Sequence, residues 1–370
     1  MNTHDDRPTL DRLPLERAAL ELLRGARPSK KVAALAGLGE APALERALTR
    51  RWGVTAGELG RLGRSGHYRF TYGGRFHVEE TLRYLGRDGE NLAEQVTDGV
   101  YRRFFPVGER QVAIALTLTR NGCEVDTDPA MTAENKLALH HCLRRFLGLE
   151  QPLAGFSRAM KAHPVMGPLV RAFPGVRVPQ VPSLWEALCW AVIGQQINLA
   201  FAYRLRNRFI ALGNGGEIPG GEERDPKGNG EILPFPEPEA ILDIPDPAWR
   251  PAQFSRQKAD YLRGLARTFA EGALSEKHLA GLPDEEAHGA LTAIRGLGPW
   301  SAAYGLLRAL GRVDALPVGD AGLRSALRHH FRLEKMPDAR EQEALMEPIR
   351  PYRGLGTYYL WKSLGALRQE

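Results

Sequence analysis

The segment LTAIRGLGPWSAAYGLLRALGRVDALPVGDAGLRSAL, residues 291–327, limits the fold of this chain more than any other stretch. Its first part has the apolar spacing of an amphipathic helix and ends at Arg295, and Gly296-Leu297-Gly298 follows. Pro299 then stands at the first turn of a second helix predicted to run to Leu310. Proline fits there because the N–H it lacks would have no intrahelical partner. The two glycines let the backbone turn sharply and come close to a ligand. The amides that open the second helix face outward at its positive dipole end, which suits a phosphate. Two helices joined this way form a helix-hairpin-helix, a grip on the DNA backbone that reads no sequence. Arg295, Gly296, Leu297 and Gly298 are the residues expected at that contact.

Asp320 follows in Leu316-Pro317-Val318-Gly319-Asp320, ahead of a helix predicted from Gly322. An aspartate there serves as an N-cap, and its carboxylate is also open to a catalytic role. Helical patterns fill the rest of the chain from about 165. Ser183 caps LWEALCWAVI, Gly194 ends it, and Asn198 starts a helix through Leu212. GNGGEIPGGEERDPKGNGE at 213–231 has no apolar face and reads as an exposed, mobile insertion within the helical domain.

Upstream the period changes. HYRFTY at 67–72, YRRFFPV at 101–107, RQVAIALTLT at 110–119 and GCEVDTD at 122–128 are aromatic and β-branched runs separated by Gly-Glu and Asn-Gly turns. With helices over Phe76–Tyr84 and Ala133–Leu147 they predict a small antiparallel sheet packed with two helices. Residues 13–63 read as short helices: one around Val32–Ala36, a turn with Gly37 and Gly39, and one near Pro42–Arg51. Residues 1–64 carry a net charge of +4, so this is either a DNA-binding helix-turn-helix or a plain helical hairpin. The expected architecture is mainly α with an α+β N-terminal domain, divided at 1–64, 65–150 and 151–370.

Composition adds exclusions. The chain of 370 residues carries a net charge of +6, and 41 of its 50 cations are arginine. Arginine forks onto phosphate as lysine cannot, but codon bias gives the same count. Cys123, Cys142 and Cys189 lie too far apart for a disulfide framework, a zinc site or an iron–sulfur cluster. His140-His141, His329-His330 and the scattered carboxylates form no metal-ligand set. The apolar runs are too short to span a bilayer, and MNTHDDRPTLDR lacks the pattern of a signal peptide. A cytoplasmic protein is expected.

The spacing IRGLGPWSAAY then LPVGD resembles the helix-hairpin-helix superfamily of base-excision DNA glycosylases. LWEALCWAVIGQQINLAFAYRL at 184–205 and PYRGLGTYYLWK at 351–362 match two further blocks of that family. With the sheet domain ahead, the chain is similar to the AlkA-type, 3-methyladenine DNA glycosylase II branch over roughly 65–370. The sheet domain would then be TATA-binding-protein-like. VAALAGLGEAPALERALTRRWGVTAGELGR resembles the second half of an AraC-type helix-turn-helix.

The resemblance implies a monofunctional enzyme that flips alkylated purines out of duplex DNA and hydrolyses the N-glycosidic bond. Asp320 would stabilise positive charge at C1′. Trp300 stands where lyase relatives carry a nucleophilic lysine, and no lysine lies between Lys277 and Lys335. Trp300, Tyr304 and Trp361 would wall the base pocket by cation–π stacking, although aromatics at this spacing also serve as core. Gln196, with Ile197 beside it, would fill the gap left by the flipped base, or would cap neighbouring backbone. Ala321 and Gly322 replace the bulky pocket side chains of some relatives, which implies a wider pocket. An aromatic lent by the sheet domain is not assignable among Phe76, Tyr84 and their neighbours. No cofactor is implied beyond a monovalent cation at the hairpin carbonyls near Gly296 and Gly298. The expected partner is double-stranded DNA with damaged bases, bound by a monomer. Two alternatives stand beside this: the same fold acting on oxidised or deaminated bases, and a non-enzymatic DNA-binding regulator.

Overall fold

The computed structural model describes residues 14–216 and 232–367. They fall into two compact units, one of 14–145 with 232–234 and the other of 146–216 with 235–367.

In the first unit the aromatic and β-branched runs form one antiparallel sheet of β1 (His67–Phe70), β2 (Glu94–Thr97), β3 (Val100–Val107), β4 (Arg110–Thr119) and β5 (Gly122–Asp126), in the order β1-β5-β4-β3-β2. β3 and β4 pair from Val100↔Thr117 to Val107↔Arg110. Alternate side chains, among them Tyr68, Phe70, Tyr101, Phe105, Leu116 and Val125, enter the core. β2 lies outside the sequence expectation because its four residues, EQVT, are mostly polar. Its signal was the Asp98-Gly99 turn, whose φ values of 52° and 75° suit a tight hairpin into β3. The helices Val78–Leu85 and Ala133–Phe146 complete the pair expected beside the sheet.

The helices Pro14–Leu23, Lys30–Leu35, Ala41–Trp52 and Ala56–Ser65 belong to this same unit. They bury Ala18, Leu22, Leu44, Leu48, Leu59 and Leu62. Ser29 and Thr55 accept from the N–H groups of Val32 and Glu58 as N-caps. Polar bonds tie these helices to their neighbours. The Thr71 N–H donates to Gly53 O at 2.7 Å, Arg144 to Trp52 O at 2.8 Å and Lys136 Nζ to Gly63 O at 2.7 Å. The boundary expected at 64 therefore separates no compact units: a continuous helix crosses it and leads straight into β1.

The second unit is helical. Leu184–Ile193 is almost wholly buried, with Ser183 Oγ accepting from Glu186 N at 3.2 Å. Leu199–Gly213 follows Asn198, whose side chain accepts from Phe201 N at 2.9 Å. A buried Arg206–Glu186 pair at 2.9 Å links the two helices. Arg256–Ala270 packs on Leu184–Ile193, as does Pro299–Arg308, whose Gly305 faces Leu184 and Leu188. Ala321–His330 lies against Arg353–Leu367, joined by a 2.7 Å bond between His330 Nε2 and Ser363 Oγ. From residue 217 on, the insertion expected at 213–231 lies outside the described residues. Among the described residues no helix is long and apolar enough to cross a membrane.

Candidate active site

The hairpin forms, with shorter arms than the sequence suggested. Its first helix is Asp284–Thr292, so Arg295 lies on the turn, exposed. The turn is closed by Ile294 N–H to Leu291 O at 3.1 Å and Leu297 N–H to Ile294 O at 3.0 Å. The second helix, Pro299–Arg308, stops two residues short of Leu310. Gly296 adopts φ +97°, and a Cβ there would sit 2.5 Å from Tyr261 Cγ, so both the backbone angle and the contact demand glycine. Gly298 differs. As N-cap it has φ −100° and open space where a Cβ would be. The first turn of its helix holds no acidic side chain, and no side chain caps it. Leu297 was expected at the DNA contact, but its side chain is buried, so it anchors the turn and offers only backbone.

Gln195 joins the Gly194-Gln195-Gln196 turn to the hairpin, donating from Nε2 to Gly296 O at 2.8 Å. That carbonyl is one of those near Gly296 and Gly298 at which a monovalent cation is expected, and its second lone pair is what remains for such an ion. Gln196 is exposed in the left-handed region at φ 57°, and Ile197 is half-buried beside it. Leu199, which sequence reasoning passed over, is 60% exposed at the start of the next helix. Close by, Lys258 Nζ donates to Ile193 O at 2.6 Å, and burial pulls its pKa below the usual lysine value.

Asp320 is half-buried and caps Ala321–His330, which begins one residue before the expected Gly322. Its carboxylate accepts from three groups: Leu323 N–H to Oδ1 at 2.7 Å, Trp361 Nε1–H to Oδ1 at 2.8 Å and Trp300 Nε1–H to Oδ2 at 3.1 Å. The loop ahead is pinned by Gly319 N–H donating to Gln342 Oε1 at 2.9 Å, while Gln342 Nε2 donates to Asp338 O at 2.9 Å. No motif marks Gln342 in the sequence; only its burial in the fold reveals the role. Gly322 lets Trp361 come close, since a Cβ would lie 3.1 Å from both Asp320 Oδ1 and Trp361 Cδ1.

Of the three aromatics expected to wall a base pocket, Trp300 and Trp361 are half-buried and converge on Asp320. Tyr304 is only 8% exposed. It stacks behind Trp300 with ring centres 5.3 Å apart and planes at 24°, so it backs the wall and is not its surface. Arg350 and Arg353 pair with Asp314 at 3.1 and 2.7 Å, fixing the start of the helix that carries Trp361. Among the described residues no three His, Cys, Asp or Glu side chains gather as metal ligands.

Residues 189–351, which hold the hairpin and Asp320, match the HhH-GPD superfamily of base excision DNA repair proteins, and residues 67–183 match the AlkA N-terminal domain. A relative in Schizosaccharomyces pombe, DNA-3-methyladenine glycosylase 1, is 31% identical over 180 residues, which is 48% of this chain and 72% of its own length. The chain belongs to the HhH-GPD superfamily, in its AlkA-type branch. The DNA-3-methyladenine glycosylase of Bacillus subtilis is 29% identical over 295 residues, 78% of this HhH-GPD protein and 94% of that one. The solved 3-methyladenine DNA-glycosylase from Archaeoglobus fulgidus superposes with a TM-score of 0.66 at 22% identity, over 80% of this chain and 97% of the other. It shares the fold.

Proposed function

We propose that this AlkA-type protein is a monofunctional DNA glycosylase that releases alkylated purines of the 3-methyladenine class from duplex DNA and leaves an abasic site. The observation that carries the reading is the Asp320 carboxylate held between two half-buried indoles, at the end of the loop that follows a hairpin suited to phosphate. A base inside the stack is out of reach, so the nucleotide must be flipped into the pocket. Breaking the glycosidic bond leaves positive charge on the sugar, and a fixed carboxylate near C1′ stabilises it. Alkylation at a ring nitrogen makes the purine cationic, hence both a good leaving group and a partner for an indole face. No general acid and no cofactor are then required. Trp300 occupies the hairpin position where a lyase would need lysine, which favours water as the attacking group.

Arg295 and the backbone at Gly296, Leu297 and Gly298 hold the phosphates in this reading. Gln196, exposed beside Ile197, fills the gap in the stack. The working form is a monomer in the cytoplasm. The exposed Lys30, Lys31 and Arg50 of the helix pair Lys30–Leu35 and Ala41–Trp52 add a second contact to duplex DNA. The test is a panel of duplex oligonucleotides, each with one lesion, followed by alkaline cleavage of abasic sites. Cleavage at 3-methyladenine, 7-methylguanine or 1,N6-ethenoadenine is the expected result. Cleavage confined to oxidised or deaminated bases would replace the substrate class, and none at all would refute the activity.

A further inference from the structure

Stacking against a base uses the ring faces of Trp300 and Trp361 and leaves their Nε1–H groups for another role. Both point at one carboxylate from different elements: Trp300 from the first turn of Pro299–Arg308, and Trp361 from within Arg353–Leu367. A carboxylate offers about four lone-pair positions. Leu323 and Trp361 take those on Oδ1, and Trp300 takes one on Oδ2. One acceptor position is left, and it is on Oδ2. Hydrogen bonds to a charged acceptor are stronger than neutral ones, so two of them also set the tilt of both indoles.

We propose that Trp300 and Trp361 are positioning residues: their Nε1–H groups clamp both oxygens of Asp320 and direct the remaining Oδ2 position at the attacking water. The role in cleavage rests on the glycosylase reading; the clamp itself does not. In the step, the C1′–N bonding pair leaves with the cationic base, which departs neutral. The water oxygen bonds to C1′, and its proton passes by way of Oδ2 to solvent. The clamp couples the two halves of the site, because neither indole can rotate against the base without releasing the carboxylate. Gly322 is part of it, being the residue small enough to let the Trp361 indole reach Oδ1.

Phenylalanine keeps a ring face but has no N–H, so Trp300→Phe and Trp361→Phe separate clamp from wall. Each should slow single-turnover excision of 7-methylguanine about tenfold, the rate equivalent of one charged hydrogen bond. The dissociation constant for the same DNA should change less than about twofold, because the stacking face remains. In the Asp320→Asn background the same substitutions should cost little more, as expected of groups that act through one another.

A second measurement needs no activity. The chain has six tryptophans. In a nitrogen–proton spectrum of the labelled protein, Asp320→Asn should shift the indole peaks that Trp300→Phe and Trp361→Phe delete, while the other four peaks hold their places and report an intact fold. Unmoved peaks, full rates in the phenylalanine variants, or losses that appear in binding instead of rate would overturn the proposal. A wild type that releases no alkylated base but shows both shifts would remove the role in cleavage and the glycosylase reading, leaving a clamp of other purpose.

Discussion

At Asp320 the choice of carboxylate over amide is decided by its neighbours. Two indole N–H groups and one backbone N–H converge on it. An asparagine offers one acceptor oxygen and turns an NH2 group toward the remaining donor. As an N-cap, however, asparagine is as good as aspartate. Both Asp320→Asn and Asp320→Ala disturb the indole bonds, but only alanine also loses the cap, so Asp320→Ala should be the less stable of the two by about 1 kcal/mol. Calorimetry on the two variants checks this, and equal losses would mean the side chain is not capping. At Gly322 a methyl group meets Asp320 Oδ1 and Trp361 Cδ1 at 3.1 Å. Gly322→Ala should slow excision by about 5–30-fold, the equivalent of 1–2 kcal/mol of displaced packing. An unchanged rate would show that Trp361 need not approach the carboxylate.

At the scale of elements, the hairpin separates two glycines that look alike in the sequence. Gly296→Ala forces a left-handed residue and drives a Cβ into Tyr261, at a cost of about 1–3 kcal/mol of stability. Gly298→Ala has a permitted φ and open space, so the fold should tolerate it. There the methyl group instead occupies the space a phosphate would approach, and DNA affinity should fall with stability kept. Denaturant unfolding and DNA titration of the pair separate these outcomes; equal effects in both would contradict the turn geometry.

The turn itself was legible because Gly-Leu-Gly-Pro combines backbone freedom with a helix start. Ser183, Gly194 and Asn198 marked helix ends for similar local reasons. What escaped was decided by distant contacts. β2 is polar and paired only through its hairpin, Leu297 turns inward, Tyr304 lies behind Trp300, and Gln342 reaches Gly319 across the fold. The indole bonds to Asp320 join positions 20 and 41 residues apart, a distance over which local spacing says nothing about donors and acceptors.

For the whole molecule, the two histidines of the Ala133–Phe146 helix set an acid limit. Burial, then Arg144 and Arg51, lowers the pKa of His141 to about 4. Burial, then His141 and Arg144, holds His140 well below its ordinary value. Below about pH 6.5 the unfolded chain binds protons on these residues that the folded chain refuses. Stability should thus fall as pH drops from about 6.5 to about 4, by up to roughly 1.4 kcal/mol per pH unit for each histidine. Urea unfolding at pH 7 and 5.5 measures the slope, and His141→Gln should make it shallower. A slope that stays the same in the variant would exclude His141 as its source.

The charge of +6 is informative only by location. Lys30, Lys31 and Arg50 are exposed on a part of the chain that packs into the sheet unit, so they are best tested by substitution and not by deleting the segment. Replacing all three with glutamine should flatten the salt dependence of DNA binding by about 0.9 for each phosphate no longer neutralised. An unchanged slope would confine DNA binding to other surfaces.

The proposed bond cleavage depends on the clamped carboxylate of Asp320. Single-turnover excision from a duplex with one 7-methylguanine, compared between wild type and Asp320→Asn, tests it most directly when binding to the same duplex is titrated alongside. The expected result is a rate lower by about 10²–10³-fold with binding retained, the scale of losing a preorganised charge from a transition state. An Asp320→Asn protein that excises the base at the wild-type rate would contradict it.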